Sequence, residues 1–211
     1  MENTYINMYN TWKVKNIEIF WNENIDGSGR SMWFNFYRIL RNKGRVNDLL
    51  ELGSGPGFIG YSLLDLDYCN NLFLTDINEN ACKACKKTNE HNNLNNVNIV
   101  CCDAFNGIEK QFDVIVCNPP FDSNPNPKPK KLNYQKEIQE NLYIFSDPNL
   151  NLNVELLNKF PYYLKKDGWF LIYGRNNLLE TLGNRIQTTN YLIDKVKFNQ
   201  SRSIFVFQLP G

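Results

Sequence analysis

Hydrophobic positions along the chain fall into short apolar runs separated by longer stretches in which apolar residues recur at helical spacing. Asp48–Leu52, Asn71–Thr75, Val97–Cys101, Phe112–Cys117 and Trp169–Tyr173 are such runs, and each predicts a strand buried on both faces. Helical patterns begin at Phe58, after Asp76, near Val154 (running to about Lys165) and near Asn177. Strand and helix in alternation predict an α/β fold, a mostly parallel sheet with helices on both faces. Two closing runs, Tyr191–Phe198 and Ser203–Leu209, predict a final strand pair. Ahead of this core, Lys13–Trp21 alternates in part, as a strand with one exposed face does. Asp26-Gly27-Ser28-Gly29 is a turn signal, and an aromatic helix follows from about Ser31 to Arg41.

Composition narrows the class. At 211 residues, 42% hydrophobic and 21% charged, the chain suits one domain with a modest extension. A net charge of +1 carries little of the basic excess that drives nonspecific nucleic-acid binding, so any such site is a local patch. The unusual abundance of Asn reads as coding bias, not chemistry. No run approaches the roughly 18 apolar residues of a membrane span, and Met1–Asn10 lacks the basic start and apolar core of a signal peptide. A cytoplasmic protein without membrane contact is expected. The six cysteines lie mostly in predicted strands and helix, as reduced thiols used for packing do. Cys82 and Cys85 form a C-x-x-C pair on a helix, but without a second pair the packing of one helical face is the simpler account, and no metal site is expected. His91, the only histidine, falls near the end of that helix, where it caps or faces water.

Four features carry chemistry, each at the carboxyl end of a predicted strand, where open α/β sheets bind ligands. Glu51-Leu52 leads into Gly53-Ser54-Gly55-Pro56-Gly57 and then a helix, a loop whose glycines admit close approach of a ligand and whose helix amides favour a carboxylate. The dinucleotide pattern G-x-G-x-x-G fits poorly, because its third glycine would fall at Phe58 and Pro56 intrudes. Asp76, about 20 residues past the loop, has the spacing of a ribose ligand. Asp103-Ala104 follows the next strand, where a carboxylate can accept an adenine amino group. Last comes Asn118-Pro119-Pro120-Phe121. Neither proline donates a backbone hydrogen bond, so the main chain stays extended with its carbonyls free to accept. The Asn118 amide and the Pro119 carbonyl can take both protons of a planar NH2 group while Phe121 stacks on its plane, leaving the nitrogen lone pair to attack a methyl group.

Taken in this order, Glu51–Gly57, Asp76, Asp103 and Asn118–Phe121 resemble the class I S-adenosylmethionine-dependent methyltransferases with an Asn-Pro-Pro-aromatic motif. That group holds the HemK/PrmC-like glutamine methyltransferases, the adenine N6 methyltransferases and the guanine N2 methyltransferases of ribosomal RNA. The resemblance runs from about Val46 to Leu209. It implies a Rossmann-like, seven-stranded, mostly parallel sheet ending in an antiparallel hairpin, with 46–211 as the catalytic domain and 1–45 as an extension capping the cofactor cleft. It implies that Gly53, Ser54, Gly55, Pro56 and Gly57 surround the methionine part of S-adenosyl-L-methionine with Glu51 close by. Asp76 and Ile77 would meet the ribose, Asp103 and Ala104 the adenine, and Asn118, Pro119, Pro120 and Phe121 the acceptor nitrogen.

Substrate class is less specified. Near-neutral charge and a stand-alone plan favour protein glutamine N5 methylation, with a release factor or ribosomal protein as acceptor and a small activating subunit as candidate partner. Phe121, in place of the Tyr usual in glutamine enzymes, favours the alternative, a nucleic-acid base. A small-molecule N-methyltransferase and a noncatalytic scaffold are lesser readings. The proline- and lysine-rich stretch from Asp122 to Asp147 is expected to form a substrate lid in which Lys128, Lys130 and Lys131 either meet an acidic partner or face water. Trp33, Phe34, Phe36 and Tyr37 either contact substrate or, as helical aromatic stripes mostly do, pack in the core.

Overall fold

The computed structural model describes residues 9–22, 25, 29–120 and 146–211. Two short strands, β1 (Asn10–Trp12) and β2 (Ile19–Trp21), pair antiparallel and lead into helix α1 (Gly29–Leu40). Of the strand expected over Lys13–Trp21 only Ile19–Trp21 forms, and an additional strand precedes it at Asn10–Trp12, because the Asp65 carboxylate accepts the amides of Lys15 and Asn16 at 2.8 and 2.9 Å and draws the intervening chain into a turn. The core then alternates: β3 (Val46–Leu52), α2 (Phe58–Asp65), β4 (Cys69–Asp76), α3 (Glu79–His91), β5 (Val97–Cys101) and β6 (Phe112–Cys117). After residue 145 come α4 (Asn151–Tyr163), β7 (Leu164–Arg175), α5 (Leu178–Leu182), β8 (Leu192–Lys197) and β9 (Arg202–Gln208). Seven strands form one sheet in the order β5-β4-β3-β6-β7-β9-β8. The first five pair parallel and β9 runs antiparallel to both β7 and β8, the expected terminal hairpin.

The apolar runs lack clean alternation because both faces of the central strands are covered. Leu49, Val114, Val116, Leu171 and Ile204 pack with Met32 and Phe36 of α1 and with Phe58 and Tyr61 of α2. Their neighbours Leu50, Ile115, Phe170, Ile172 and Phe205 pack with Leu156 and Phe160 of α4 and Leu178 of α5. Full burial of each such side chain is worth about 1.5–3 kcal/mol. The first of these cores also takes in Ile17, Ile19 and Trp21, so it runs unbroken across position 45. Of the aromatic stripe in α1, Phe36 is fully buried, Trp33 and Tyr37 are half-buried against the core, and Phe34 is exposed.

Helix α4 begins three residues before the predicted start and stops at Tyr163, because Leu164 already pairs with Phe112 in the sheet. At the amino ends of the strands, Asp48 takes ion pairs from Lys110 (2.7 Å) and Lys165 (2.8 Å), and Lys165 also reaches Asp113 at 3.1 Å. Burial pushes the Asp48 carboxyl up, but hydrogen bonds from Lys110, Lys165, Asn71 and Asn47 outweigh it and hold the group well below the usual carboxylate range. This cluster ties β3, β6 and β7 together at the end opposite the site.

Candidate active site

The strand order places a cleft by itself. β4 and β5 lie to one side of β3 and β6 to the other, so the connections leaving β3 and β6 diverge and open a crevice at their carboxyl ends. A cavity of about 680 Å³ sits there. It is lined by Glu51, Gly53, Ser54, Gly55 and Pro56 after β3, by Asp76 and Ile77 after β4, by Asp103 and Ala104 after β5, and by Asn118, Pro119 and Pro120 after β6. Among the described residues, the sequence-predicted positions thus converge on one space, with one exception. Gly57 faces away from the cavity, and a Cβ on it would lie 2.6 Å from the Tyr61 ring. Its φ of 82° makes it the left-handed entry into α2, a turn position and not a lining one. Phe121, Lys128, Lys130 and Lys131 lie outside the described residues.

Backbone contacts explain how the glycine loop keeps its shape. The Gly55 amide donates to Asp76 Oδ2 at 2.6 Å, the Asn78 amide donates to Asp76 Oδ1 at 2.8 Å, and the Ser54 amide donates to the Thr75 carbonyl at 2.9 Å. Asp76 therefore braces the loop from the neighbouring strand, and burial raises its carboxyl against the opposing pull of these amides. Glu51 is only 2% exposed and accepts the Gly60 amide at 2.7 Å, which ties β3 to the first turn of α2. Burial pushes its carboxyl up to about 8, the amides of Gly60 and Ile59 pull it down, and the charge of Asp76 adds to the rise. Asp103 is exposed, in a turn where Ala104 has a φ of 47° and Phe105 stacks on Tyr163 with ring centroids 4.2 Å apart.

Of the remaining lining residues, Asn151, Leu152 and Glu155 carried no mark as site residues in the sequence, whereas Ile25 and Gly29 fall in the extension expected to cap the cleft and Ser146 and Asp147 at the end of the stretch expected to form a lid. Ile25 and Gly29 enter from the amino-terminal segment, and Ser146, Asp147, Asn151, Leu152 and Glu155 form the wall beside Pro120. For the residues of α4 the turn signal Ser146-Asp147-Pro148-Asn149 ahead of the helix was the local cue. Counting the whole lining, the cavity carries five carboxyl groups, those of Glu51, Asp76, Asp103, Asp147 and Glu155, and no Lys, Arg or His among the described residues. Such a donor set repels phosphates and favours a ligand with cationic groups.

Comparisons with known proteins agree with this geometry. The Ribosomal RNA small subunit methyltransferase C of Actinobacillus pleuropneumoniae (serotype 5b, strain L20) is 36% identical over 103 residues, which are 49% of this chain and 30% of that protein. The chain thus matches less than a third of the length of that relative. A methyltransferase from Pyrococcus furiosus shares the fold with a TM-score of 0.57 and 20% identity, over 85% of this chain and 83% of that one. An S-adenosylmethionine-dependent methyltransferase from Clostridium acetobutylicum does so with a TM-score of 0.56 and 14% identity, over 89% and 93%. S-adenosylmethionine fits the residues present, because its sulfonium and ammonium groups suit a cavity lined by carboxyls and its adenosine suits a loop–acid–acid order along three adjacent strands. The sequence matches the Methyltransferase small domain family over residues 14–135, more than half of the chain, and the protein belongs to that family as an S-adenosylmethionine-dependent methyltransferase.

Proposed function

We propose that this protein transfers a methyl group to the exocyclic amino nitrogen of a nucleic-acid base, adenine N6 or guanine N2, with ribosomal RNA as the first acceptor to test. The observation that carries the reading is that Asn118, Pro119 and Pro120 open onto the same cavity as Glu51, the glycine loop, Asp76 and Asp103. An acceptor held at Asn118 then lies in the same space as the cofactor, the arrangement that direct transfer requires. Rank among the acceptors shifts from the order given by charge and chain plan. The curated relative is named for ribosomal RNA, and this supports the base over the glutamine side chain. Protein glutamine remains the second reading, since its amide NH2 has the same planar shape, and a release factor or ribosomal protein would then be the partner.

Bound S-adenosylmethionine supplies an electrophilic methyl group on a sulfonium. The chain's own residues do the rest. Gly53, Ser54, Gly55 and Pro56 would present backbone to the methionine portion beside Glu51, and Asp76 with Ile77 would meet the ribose. Asp103 and Ala104 would meet the adenine. The Asn118 side-chain carbonyl and the Pro119 carbonyl would each accept one amino proton, turning the nitrogen lone pair toward the methyl group, and Phe121 would stack on the acceptor plane. Orientation of this kind supplies roughly 7–11 kcal/mol of barrier reduction. Among the described residues no cation lines the cavity, so within them an RNA acceptor's phosphates would be met elsewhere. Arg38, Arg41 and Lys197, with Asp194 among them, ring a separate groove of about 340 Å³ between α1 and β8. Among the described residues no helix is long and apolar enough to cross a membrane; a ribosomal acceptor would call for a cytoplasmic enzyme.

The test supplies methyl-labelled S-adenosylmethionine with intact small ribosomal subunits and with deproteinised ribosomal RNA. Label released by nuclease supports the base reading. Label released only by protease overturns it in favour of glutamine.

A further inference from the structure

The stretch Asn118-Pro119-Pro120 presents a problem that its own backbone cannot solve. Two prolines in succession offer no amide to anchor the chain, so whatever fixes this stretch has to come from outside it. In the structure the Pro120 carbonyl accepts a hydrogen bond from Asn153 Nδ2 at 3.0 Å. Asn153 sits in the first turn of α4 and is fully buried. Its Nδ2 also donates to Asp147 Oδ2 at 2.7 Å. Asp147, 4% exposed, further accepts the amides of Leu152 at Oδ1 and Asn153 at Oδ2, both at 2.9 Å. With three hydrogen bonds to these groups, Asp147 holds the start of α4 and orients Asn153.

The backbone reaches this arrangement through an uncommon turn. Asn149 and Leu150 both adopt left-handed conformations, with φ of 60° and 57°, a region that a leucine rarely occupies. Arg185 secures the same turn from the side, donating to the Asn149 carbonyl at 2.5 Å and to Asn151 Oδ1 at 2.8 Å. Strained turns persist when their surroundings over-determine them, and they gather at functional sites. Capping α4 requires only the Asp147 carboxylate and two amides. The Asn153 side chain reaching across to Pro120 is additional to capping, and its target is the acceptor loop.

We propose that Asn153, oriented by Asp147, is a positioning residue for methyl transfer. With φ of Pro120 set by its ring, the hydrogen bond to the Pro120 carbonyl removes the remaining backbone freedom there, and so aims the Pro119 carbonyl and the Asn118 side chain at the acceptor nitrogen. This rests on the acceptor role given to Asn118 above.

Asn153→Leu keeps the branched outline, at a larger volume, and removes the donor. The expected result is a kcat reduced about 100-fold, as a displacement near 1 Å produces, with cofactor Kd within about twofold of wild type by calorimetry, since the cofactor half of the cavity is untouched. Independently of activity, hydrogen exchange at the Asn118 amide should accelerate by about tenfold or more as the loop is released. Wild-type kcat together with wild-type exchange in a variant that melts normally overturns the proposal. If Asn153→Leu fails to fold, Asp147→Asn decides, because it retains one cap oxygen while losing the acceptor that orients Asn153. It should lose about tenfold in kcat with faster Asn118 exchange, and wild-type values of both overturn the proposal. The exchange measurement separates this failure from that of the functional reading: release of the Asn118 amide without any methylation of RNA refutes the acceptor class and upholds the brace.

Discussion

Replacing Glu51 with Gln tests the electrostatics of the cofactor cleft through one proton. Glu51 is buried, hydrogen-bonded to the Gly60 amide, and raised to about 8. At neutral pH it therefore holds its proton in the ligand-free protein, and a cationic ligand beside it favours the anion, so binding should expel that proton. One proton released per ligand makes affinity rise by up to about tenfold per pH unit between about pH 6 and 8, flattening near 8. The folded protein alone obeys the same linkage with the opposite consequence. A carboxyl raised on folding is protonated in both states below its ordinary value of 4.5, and its cost to the folded state grows as pH climbs toward about 8. At about 1.4 kcal/mol per pH unit over that interval, the loss is bounded at about 5 kcal/mol. Glu51→Gln keeps an acceptor for Gly60 and removes the titration. Calorimetry of S-adenosylmethionine binding from pH 6 to about 9, in two buffers of different ionisation enthalpy, counts the proton, and urea unfolding over the same range reads the stability. The variant should show at most the shallow slope left by Asp76, which burial also raises. Identical pH slopes in wild type and variant, in both measurements, would refute the reasoning.

Asn118→Ala should lower kcat by roughly 10²–10³-fold while leaving the cofactor Kd unchanged, and turnover near wild type in a kinetic assay removes Asn118 from the chemistry. Gly60→Ala, a change that usually favours a helix interior by about 0.5–1 kcal/mol, should here destabilise by about 1–3 kcal/mol in urea unfolding, because the new Cβ would stand 2.7 Å from Leu72 Cδ1 and 2.8 Å from Glu51 Oε2. Methyl transfer to RNA should weaken by about 10³-fold in kcat/KM between 50 and 200 mM salt if roughly six phosphates are contacted, and a flat salt profile points to a protein acceptor instead.

Legibility differed from residue to residue for reasons that can be named. Glu51, Asp76 and Asn118 were legible as candidates because each sits at a strand end, with Gly55 three residues past one, and strand ends are marked locally by apolar runs that stop. Gly57 carries the same motif signal as Gly55, yet its conformational need is a turn against Tyr61, a difference that spacing cannot express. Gly60 looked like an ordinary helix residue; only the packing of α2 onto β3 and β4 shows that a methyl group has no room there. Asn153 was invisible, since its partner Pro120 lies 33 positions away in the chain. Nothing in the local pattern around either residue refers to the other. The strand expected from Lys13 begins only at Ile19 because the turn before it is held by Asp65, again from a distant element.

The sequence by itself determined the alternation of strand and helix, the two-faced burial of the sheet and the identity of the groups at its strand ends, because these depend on neighbours within a few residues and on the periodicity of one element. Tertiary structure alone decided the order of strands, and with it the divergence at β3 and β6 that gathers four separate loops around one cavity. It also decided the cavity's charge, since carboxyls from separate stretches of the chain act on one ligand only when the fold brings them around the same space.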